Sequence, residues 1–329
     1  MRIGVCLWSF TDCHREAGRT LDPFQPEDLA RLAGQAGLAS IECGPGQFRG
    51  RSAAARTAFR DLLQRQNLEL IIDTGSGTYA TDVSPLTGAL ECARELGARM
   101  VRTTISSVLE GDRRSYGLEG WQRYLAALVD PLRQAMEIAE RYALPVGLEN
   151  HQDAGAGELL WLCDRVGSDL LGITMDVANA LAVGETPEAF AERVMPRLRH
   201  VHLKDYTVHP TPSGYRLKRC ALGDGVIDWP SMLARLDAGA PAARGCIELG
   251  ATQARHIRIL EADYWSAYPP RPVAAAIGAV RALHRAARPA EEDWRTPHEH
   301  QATASARAAY EMDQFERSVR YLREQGLLG

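Results

Sequence analysis

The chain has 329 residues, of which 45% are hydrophobic and 24% charged, with 38 basic side chains against 42 acidic ones. That apolar share is ample for a packed core and excludes wholesale disorder. The formal charge of −4 gives no general attraction to nucleic acid or to anionic membranes, and a chain of this length can form a single α/β barrel.

Short apolar runs rich in β-branched residues alternate with amphipathic stretches. Strands are predicted over Ile3–Leu7, Ala39–Cys43, Leu68–Asp73, Met100–Thr103, Val146–Glu149, Leu171–Met175, His200–Leu203 and Gly245–Leu249. Between them, apolar residues recur every three or four positions over Glu27–Gln35, Ala53–Arg65, Leu86–Leu96, Trp121–Tyr142 and Ala156–Arg165. That is the period of a helix laid on one side against a sheet. Cap candidates precede proline at Asp22-Pro23, Ser84-Pro85, Thr186-Pro187 and Asp228-Trp229-Pro230. Eight strands in alternation with helices predict a parallel sheet, and the count favours closure into a (β/α)8 TIM barrel over an open doubly wound sheet. No GxGxxG follows the first strand, so a dinucleotide crevice has no support.

The stretch YTVHPTPSGYRLKRCALGDG, after the seventh strand, reads as an excursion over the barrel mouth. Residues 1–288 are expected to form the barrel and 289–329 a linker with a C-terminal helix. That helix, predicted over Ala302–Leu328 with Tyr310, Phe315, Val319 and Leu322 near one face, is expected to pack on the barrel or on a partner subunit. The seven cysteines show no CxxC spacing and several sit in apolar runs, which suits buried thiols in a reducing compartment. The N-terminal run MRIGVCLWSF meets Thr11 and Asp12 at once, and no stretch approaches the roughly 18 apolar residues of a membrane span. A soluble, cytoplasmic protein is expected.

Barrel chemistry sits at the C-terminal ends of the strands. The fifth predicted strand ends in Glu149, the sixth leads to Asp176, the seventh carries His202 and the eighth carries Glu248. Three carboxylates at one rim repel one another unless a cation compensates them. Three oxygen donors and one imidazole, with positions left for substrate, suit one octahedral divalent ion, with Mn²⁺ expected first and Mg²⁺ or Co²⁺ as alternatives. Structural zinc would want thiolates, and none is placed to help.

In their order and setting, Glu149-Asn150-His151, Asp176, His202-Leu203-Lys204-Asp205 and Glu248 resemble the sugar phosphate isomerase/epimerase family of xylose isomerase-like TIM barrels, over roughly residues 1–285. The resemblance implies Glu149, Asp176, His202 and Glu248 as metal ligands, with the two glutamates also moving protons beside a substrate carbonyl. The nuclease branch of that family needs a histidine three residues after the sixth-strand aspartate; here Asn179 stands there, which disfavours DNA repair. The activity implied first is an isomerase or epimerase acting on a keto sugar through a metal-stabilised enediolate. The alternatives are a lyase using the same enediolate, to decarboxylate a keto sugar acid or cleave a 3-keto glycoside, and a non-catalytic sugar-binding subunit. The ENHQD run and the arginines after the eighth strand are similar to members that work as lyases.

His151 lies two residues past Glu149 and is a candidate acid/base; Lys204 is a candidate donor to a substrate oxygen. Trp8 is a candidate pocket wall, Asp73 and Arg102 are candidate contacts to substrate hydroxyls, and Arg255 and Arg258 are candidates to hold a carboxylate or phosphate. Glu42, His256 and the Gly223-Asp224-Gly225 turn are weaker candidates, while Asn150 and Asp205 are expected to hold loops. His298 and His300 are expected to be incidental. The expected partner is a small sugar, with self-association left open.

Overall fold

Alternating strands and helices close here into a ring. This computed structural model describes residues 1–13, 22–75, 78–250 and 252–328. The first seven barrel strands are β1 (Arg2–Cys6), β2 (Ser40–Cys43), β3 (Glu69–Thr74), β4 (Met100–Thr104), β5 (Val146–Glu149), β6 (Leu171–Asp176) and β7 (Leu198–Leu203). The chain then makes an antiparallel hairpin, β8 (Asp205–Thr211) and β9 (Gly214–Cys220), and returns as β10 (Arg244–Ile247). β10 lies parallel between β7 and β1 and completes the closed eight-stranded barrel. A last short strand, β11 (Arg255–Ile257), pairs antiparallel with β9.

Helices α1 (Pro26–Gln35), α2 (Ala53–Arg65), α3 (Ser84–Leu96), α4 (Gly117–Ala127), α5 (Val129–Tyr142), α6 (Ala156–Val166), α7 (Pro187–Val194) and α8 (Trp229–Gly239) connect the barrel strands. α9 (Val273–Ala286) and α10 (Ala304–Glu324) follow β11. Two of the four cap candidates act as such: Thr186 Oγ1 accepts from Ala189 N at 3.3 Å and Asp228 Oδ1 from Ser231 N at 3.2 Å. Ser84 instead lies inside α3, and α1 begins past Pro23, at Pro26. The single helix expected over Trp121–Tyr142 is two helices meeting at Leu128. Arg255 and His256 lie on β11, because the excursion is a hairpin whose free edge takes a third strand.

Strand register sorts the barrel interior. Register partners on parallel strands share a face, so Cys6 beside Glu42, Glu42 beside Ile71, Ile71 beside Met100, and His202 beside Cys246 all point inward. Cys6, Ile71, Met100 and Cys246 form a small buried apolar cluster apart from the main core between sheet and helices. The seven cysteines form no disulfide among the described residues, and no described helix is long and apolar enough to cross a membrane.

The C-terminal segment lies against the barrel. Phe315 of α10 is 2% exposed and packs edge-on against Phe10, with ring centroids 5.3 Å apart. Glu311 accepts hydrogen bonds from the Thr11 hydroxyl and the Asp12 and Cys13 backbone amides. The histidines of the linker are engaged there, His298 with Asp12 and His300 with Asp293. Replacing Phe315 with alanine is expected to cost about 3 kcal/mol in chemical denaturation, since it deletes a buried ring and leaves a cavity.

Candidate active site

At the C-terminal end of the barrel, the inward side chains change from apolar to charged. Arg102 of β4 stands in register with Asp73 of β3, and its Nη1 lies 2.7 Å from Asp73 Oδ1. Its Nε lies 2.8 Å from Glu149 Oε2 and 3.6 Å from Glu42 Oε1. Asp176 and His202 are register partners on β6 and β7. Both His202 and His200 turn Nε2 toward the Glu42 carboxylate, at 3.0 and 2.9 Å. His202 Nδ1 then lies 3.7 Å from Glu149 Oε1 and 4.0 Å from Glu248 Oε2.

One donor atom each from Glu149, Asp176 and His202 lies within 4.8 Å of the others. Both Glu149 carboxylate oxygens, Asp176 Oδ1, His202 Nδ1 and Glu248 Oε2 are buried and make no hydrogen bond. Arg102 and Lys204 contact Glu149 and Glu248 as ion pairs. Leaving buried polar atoms unbonded costs about 1–3 kcal/mol each, and more for charged ones. This set of oxygens with one imidazole is one that a hard divalent cation accepts. Asp176 is oriented by others: Asn179 donates to its Oδ2 at 2.7 Å, and Asn150 exchanges two hydrogen bonds with its backbone.

Burial and neighbouring charge pull the acids apart. Burial raises the Asp73 carboxyl to about 6 despite Arg102, and raises Asp176 to about 6 despite Lys204. Burial would raise Glu149 too, but Arg102 and His202 outweigh it and hold it well below the usual range. Glu248 is likewise drawn down to about 2 by Lys204, Arg219 and His202. His202 is carried up to about 10, against its burial, by Glu42 and Glu149. Burial takes His151 down to about 4, so its ring is neutral at pH 7.

Above these residues opens a cleft of about 540 Å³, walled by Trp8, Asp73, Arg102, Ser106, His151, Glu248, Gly250, Thr252 and Arg255 among others. A second groove of about 520 Å³, mostly apolar and lying between α4 and α6, is lined by none of the charged cluster. Trp8 is 40% exposed and donates its indole N–H to Asp73. A Cβ at Gly250 would lie 1.7 Å from the Trp8 carbonyl oxygen, so the close approach of these two rim loops needs glycine there.

Of the residues singled out in the sequence, Trp8, Asp73, Arg102, His151, Glu248 and Arg255 line the cleft, and Glu149, Asp176 and His202 meet in the charged cluster beneath it. Arg258 does not line the cleft; its Nη1 is 3.9 Å from Glu110 Oε2. Lys204 is not in the lining either, because its ammonium lies between Asp176 Oδ2 and Glu248 Oε2. Asp205 ties the following turn, accepting from Gly223 N, Ile227 N and Trp229 Nε1. His256 is held by the Thr211 and Ser213 hydroxyls. Sequence reasoning passed over His200 and Arg219 and undervalued Glu42. The His-x-His alternation on β7 is the signal that puts both imidazoles on the inner face.

Asp153 sits behind the cleft, fully buried, with Oδ2 accepting from Ser106 at 2.6 Å and Oδ1 unbonded. Burial pushes its carboxyl up to about 7. A carboxyl raised on folding stabilises the fold in its neutral form, fully below about pH 4, and that contribution is lost as pH rises through about 7. Urea melts of Asp153→Asn are therefore expected to lack a decline of up to about 1.4 kcal/mol per pH unit that the parent shows in that window.

A family profile described as the xylose isomerase-like TIM barrel matches residues 30–251. The chain is 27% identical over 238 residues to 3-oxo-isoapionate decarboxylase of Pectobacterium atrosepticum, covering 70% of this chain and 79% of that protein. A solved D-tagatose 3-epimerase-like protein matches with a TM-score of 0.56 at 18% identity, over 87% of this chain and 97% of that one. A xylose isomerase-like TIM barrel protein from Mycobacterium smegmatis, in complex with magnesium, matches with a TM-score of 0.53 at 15% identity, over 79% and 88% of the two chains. At these identities the two solved structures speak for the fold. The profile spans more than half of the chain, which therefore belongs to the xylose isomerase-like TIM barrel family.

Proposed function

We propose that the protein is a divalent-metal-dependent lyase that removes CO2 from a small keto sugar acid. The supporting observation is the cluster of buried donor atoms that Glu149, Asp176, His202 and Glu248 gather beneath the cleft, without hydrogen bonds and only partly neutralised by Arg102 and Lys204. In this reading those four side chains hold the ion, Mn²⁺ by preference or Mg²⁺ or Co²⁺. An ion bound there would polarise a substrate carbonyl and offset the negative charge that develops on the oxygen.

The other residues divide the remaining work. Glu42 accepts from His202 Nε2 and so leaves Nδ1 free to act as a ligand. Arg102 steadies Glu149, and Lys204 keeps Asp176 and Glu248 ionised in a buried site. Trp8 and Asp73 shape the wall that positions the sugar. When the bond to the carboxylate carbon breaks, its electron pair moves toward the carbonyl and CO2 departs. The carbon left behind then needs one proton. His151 faces the cleft with Nδ1 unbonded, and a neutral imidazole, one donor and one acceptor, relays a proton from solvent.

Requiring only one proton is what favours a lyase. Epimerisation needs proton-transferring groups on both faces of a carbon, and the glutamates that would serve are each held by a fixed cation, Arg102 or Lys204. The decarboxylase relative points the same way. An isomerase or epimerase is the second reading, favoured by the flanking of His202 Nδ1 by Glu149 and Glu248 at 3.7 and 4.0 Å.

The test is incubation of the metal-loaded protein with keto sugar acids and neutral ketoses in deuterated water. Release of CO2 with one deuterium in the product is expected; deuterium exchange into a neutral ketose without CO2 would overturn the lyase reading in favour of an epimerase. His151→Ala is expected to lower kcat at least about 100-fold with metal content unchanged. Asp176→Asn is expected to lose bound metal by elemental analysis.

A further inference from the structure

Four lysine and arginine side chains are buried among the described residues, and three of them are matched by carboxylates. Arg102 contacts Asp73 and Glu149, Arg113 contacts Glu158, and Lys204 contacts Asp176 and Glu248. Arg219 is different. It is 4% exposed and makes no ion pair; Nη2 donates to the Gly250 carbonyl, while Nε and Nη1 are buried without a partner. A buried guanidinium without a direct ion pair is costly, and Glu248 acts on this one only from beyond contact distance.

A second unmatched guanidinium lies beside it. Arg255 pairs in register with Leu217 of β9, so Arg219, two residues further along β9, projects from the same face of the small sheet. Diagonal neighbours of this kind stand about 7–8 Å apart at Cα, within reach of one ligand for long side chains. Arg255 is half-buried and makes no ion pair or side-chain hydrogen bond among the described residues. It lines the cleft with His151, Glu248 and Thr252. Arg219 lines an adjoining cavity of about 20 Å³, and Thr252 walls both spaces. Two like charges held together at the edge of a cleft are stabilised by an oxyanion between them, and guanidinium groups match a carboxylate by paired hydrogen bonds.

We propose that Arg219 and Arg255 form the subsite that recognises a substrate carboxylate, with Arg255 touching the anion at the rim and Arg219 adding charge from behind Gly250. The proposal deepens the reading of the protein as an enzyme of keto sugar acids and rests on it for the choice of carboxylate over phosphate. Arg255 thereby separates sugar acids from neutral sugars of the same carbon skeleton.

Calorimetric binding to the metal-loaded protein tests this with three unreactive probes: gluconate, sorbitol and sorbitol 6-phosphate. Gluconate is expected to bind at least tenfold more tightly than sorbitol. Arg255→Gln is expected to weaken gluconate at least tenfold and Arg219→Gln several-fold, with sorbitol unchanged and Arg219→Lys restoring most of the loss. Equal affinity for gluconate and sorbitol, or unchanged gluconate binding in Arg255→Gln, would overturn the subsite. Tighter, arginine-dependent binding of sorbitol 6-phosphate would overturn the carboxylate assignment in favour of phosphate. Because the probes do not turn over, the two claims fail separately. Arginine-dependent gluconate binding without CO2 release from any keto acid would sink the lyase and leave the subsite, and the converse would sink the subsite alone.

Discussion

Closing eight parallel strands into a ring forces their last inward side chains into one small volume, and in this chain those side chains carry charge. Glu42, Asp73, Glu149, Asp176 and Glu248 converge there with Arg102, Lys204, His200 and His202, nearly all of them out of solvent. In so dry a space like charges cannot be left to repel, so every group has to be answered by another or by something bound. The protein's own cations answer part of this demand. Arg102 spans three of the acids and Lys204 two. What is left over is Glu149 Oε1, Asp176 Oδ1 and His202 Nδ1, buried and gathered together without hydrogen bonds, and the functional reading is built on that remainder.

The layers around the cluster serve to keep it in place. Beneath it, Cys6, Ile71, Met100 and Cys246 form an apolar plug that excludes water from the barrel axis. Beside it, Glu42 is shared by two imidazoles and aims one of them. Above it, the rim loops are braced by the C-terminal segment: Glu311 gathers Thr11, Asp12 and Cys13, and Thr296 donates to the Thr252 carbonyl. The extension after residue 288 thus supports cleft walls as well as covering Phe10. Stability and chemistry share residues here, which is why the cleft can present exposed Trp8 on an otherwise well-packed rim.

Much of the architecture was legible because period and position carry it. Strand ends at Glu149 and Asp176 followed from apolar runs that stop at a carboxylate, and closure followed from counting eight such runs. The hairpin was hidden by its composition. Pro210 lies in β8, which among the described residues pairs with β9 alone apart from one bridge to Ala287, so a missing ladder donor is tolerated at an edge. The break between α4 and α5 leaves the apolar period undisturbed; the clue is Asp130-Pro131, in the first turn of the second helix. At the site, residues at strand ends could be listed from sequence, but partnerships could not. Lys204 looks like a substrate contact until its two carboxylates are seen, and Arg219 looks like a hairpin surface charge until its burial is seen. Charge pairing across a barrel joins positions far apart in the chain, and no local pattern encodes it.

The central claim is that one divalent ion sits among Glu149, Asp176, His202 and Glu248. Crystals soaked in Mn²⁺ test it most directly through anomalous scattering. The expected result is a single strong peak about 2.0–2.3 Å from a Glu149 oxygen, Asp176 Oδ1, His202 Nδ1 and a Glu248 oxygen. A peak elsewhere, or no peak with Lys204 still bridging Asp176 and Glu248, would contradict the account.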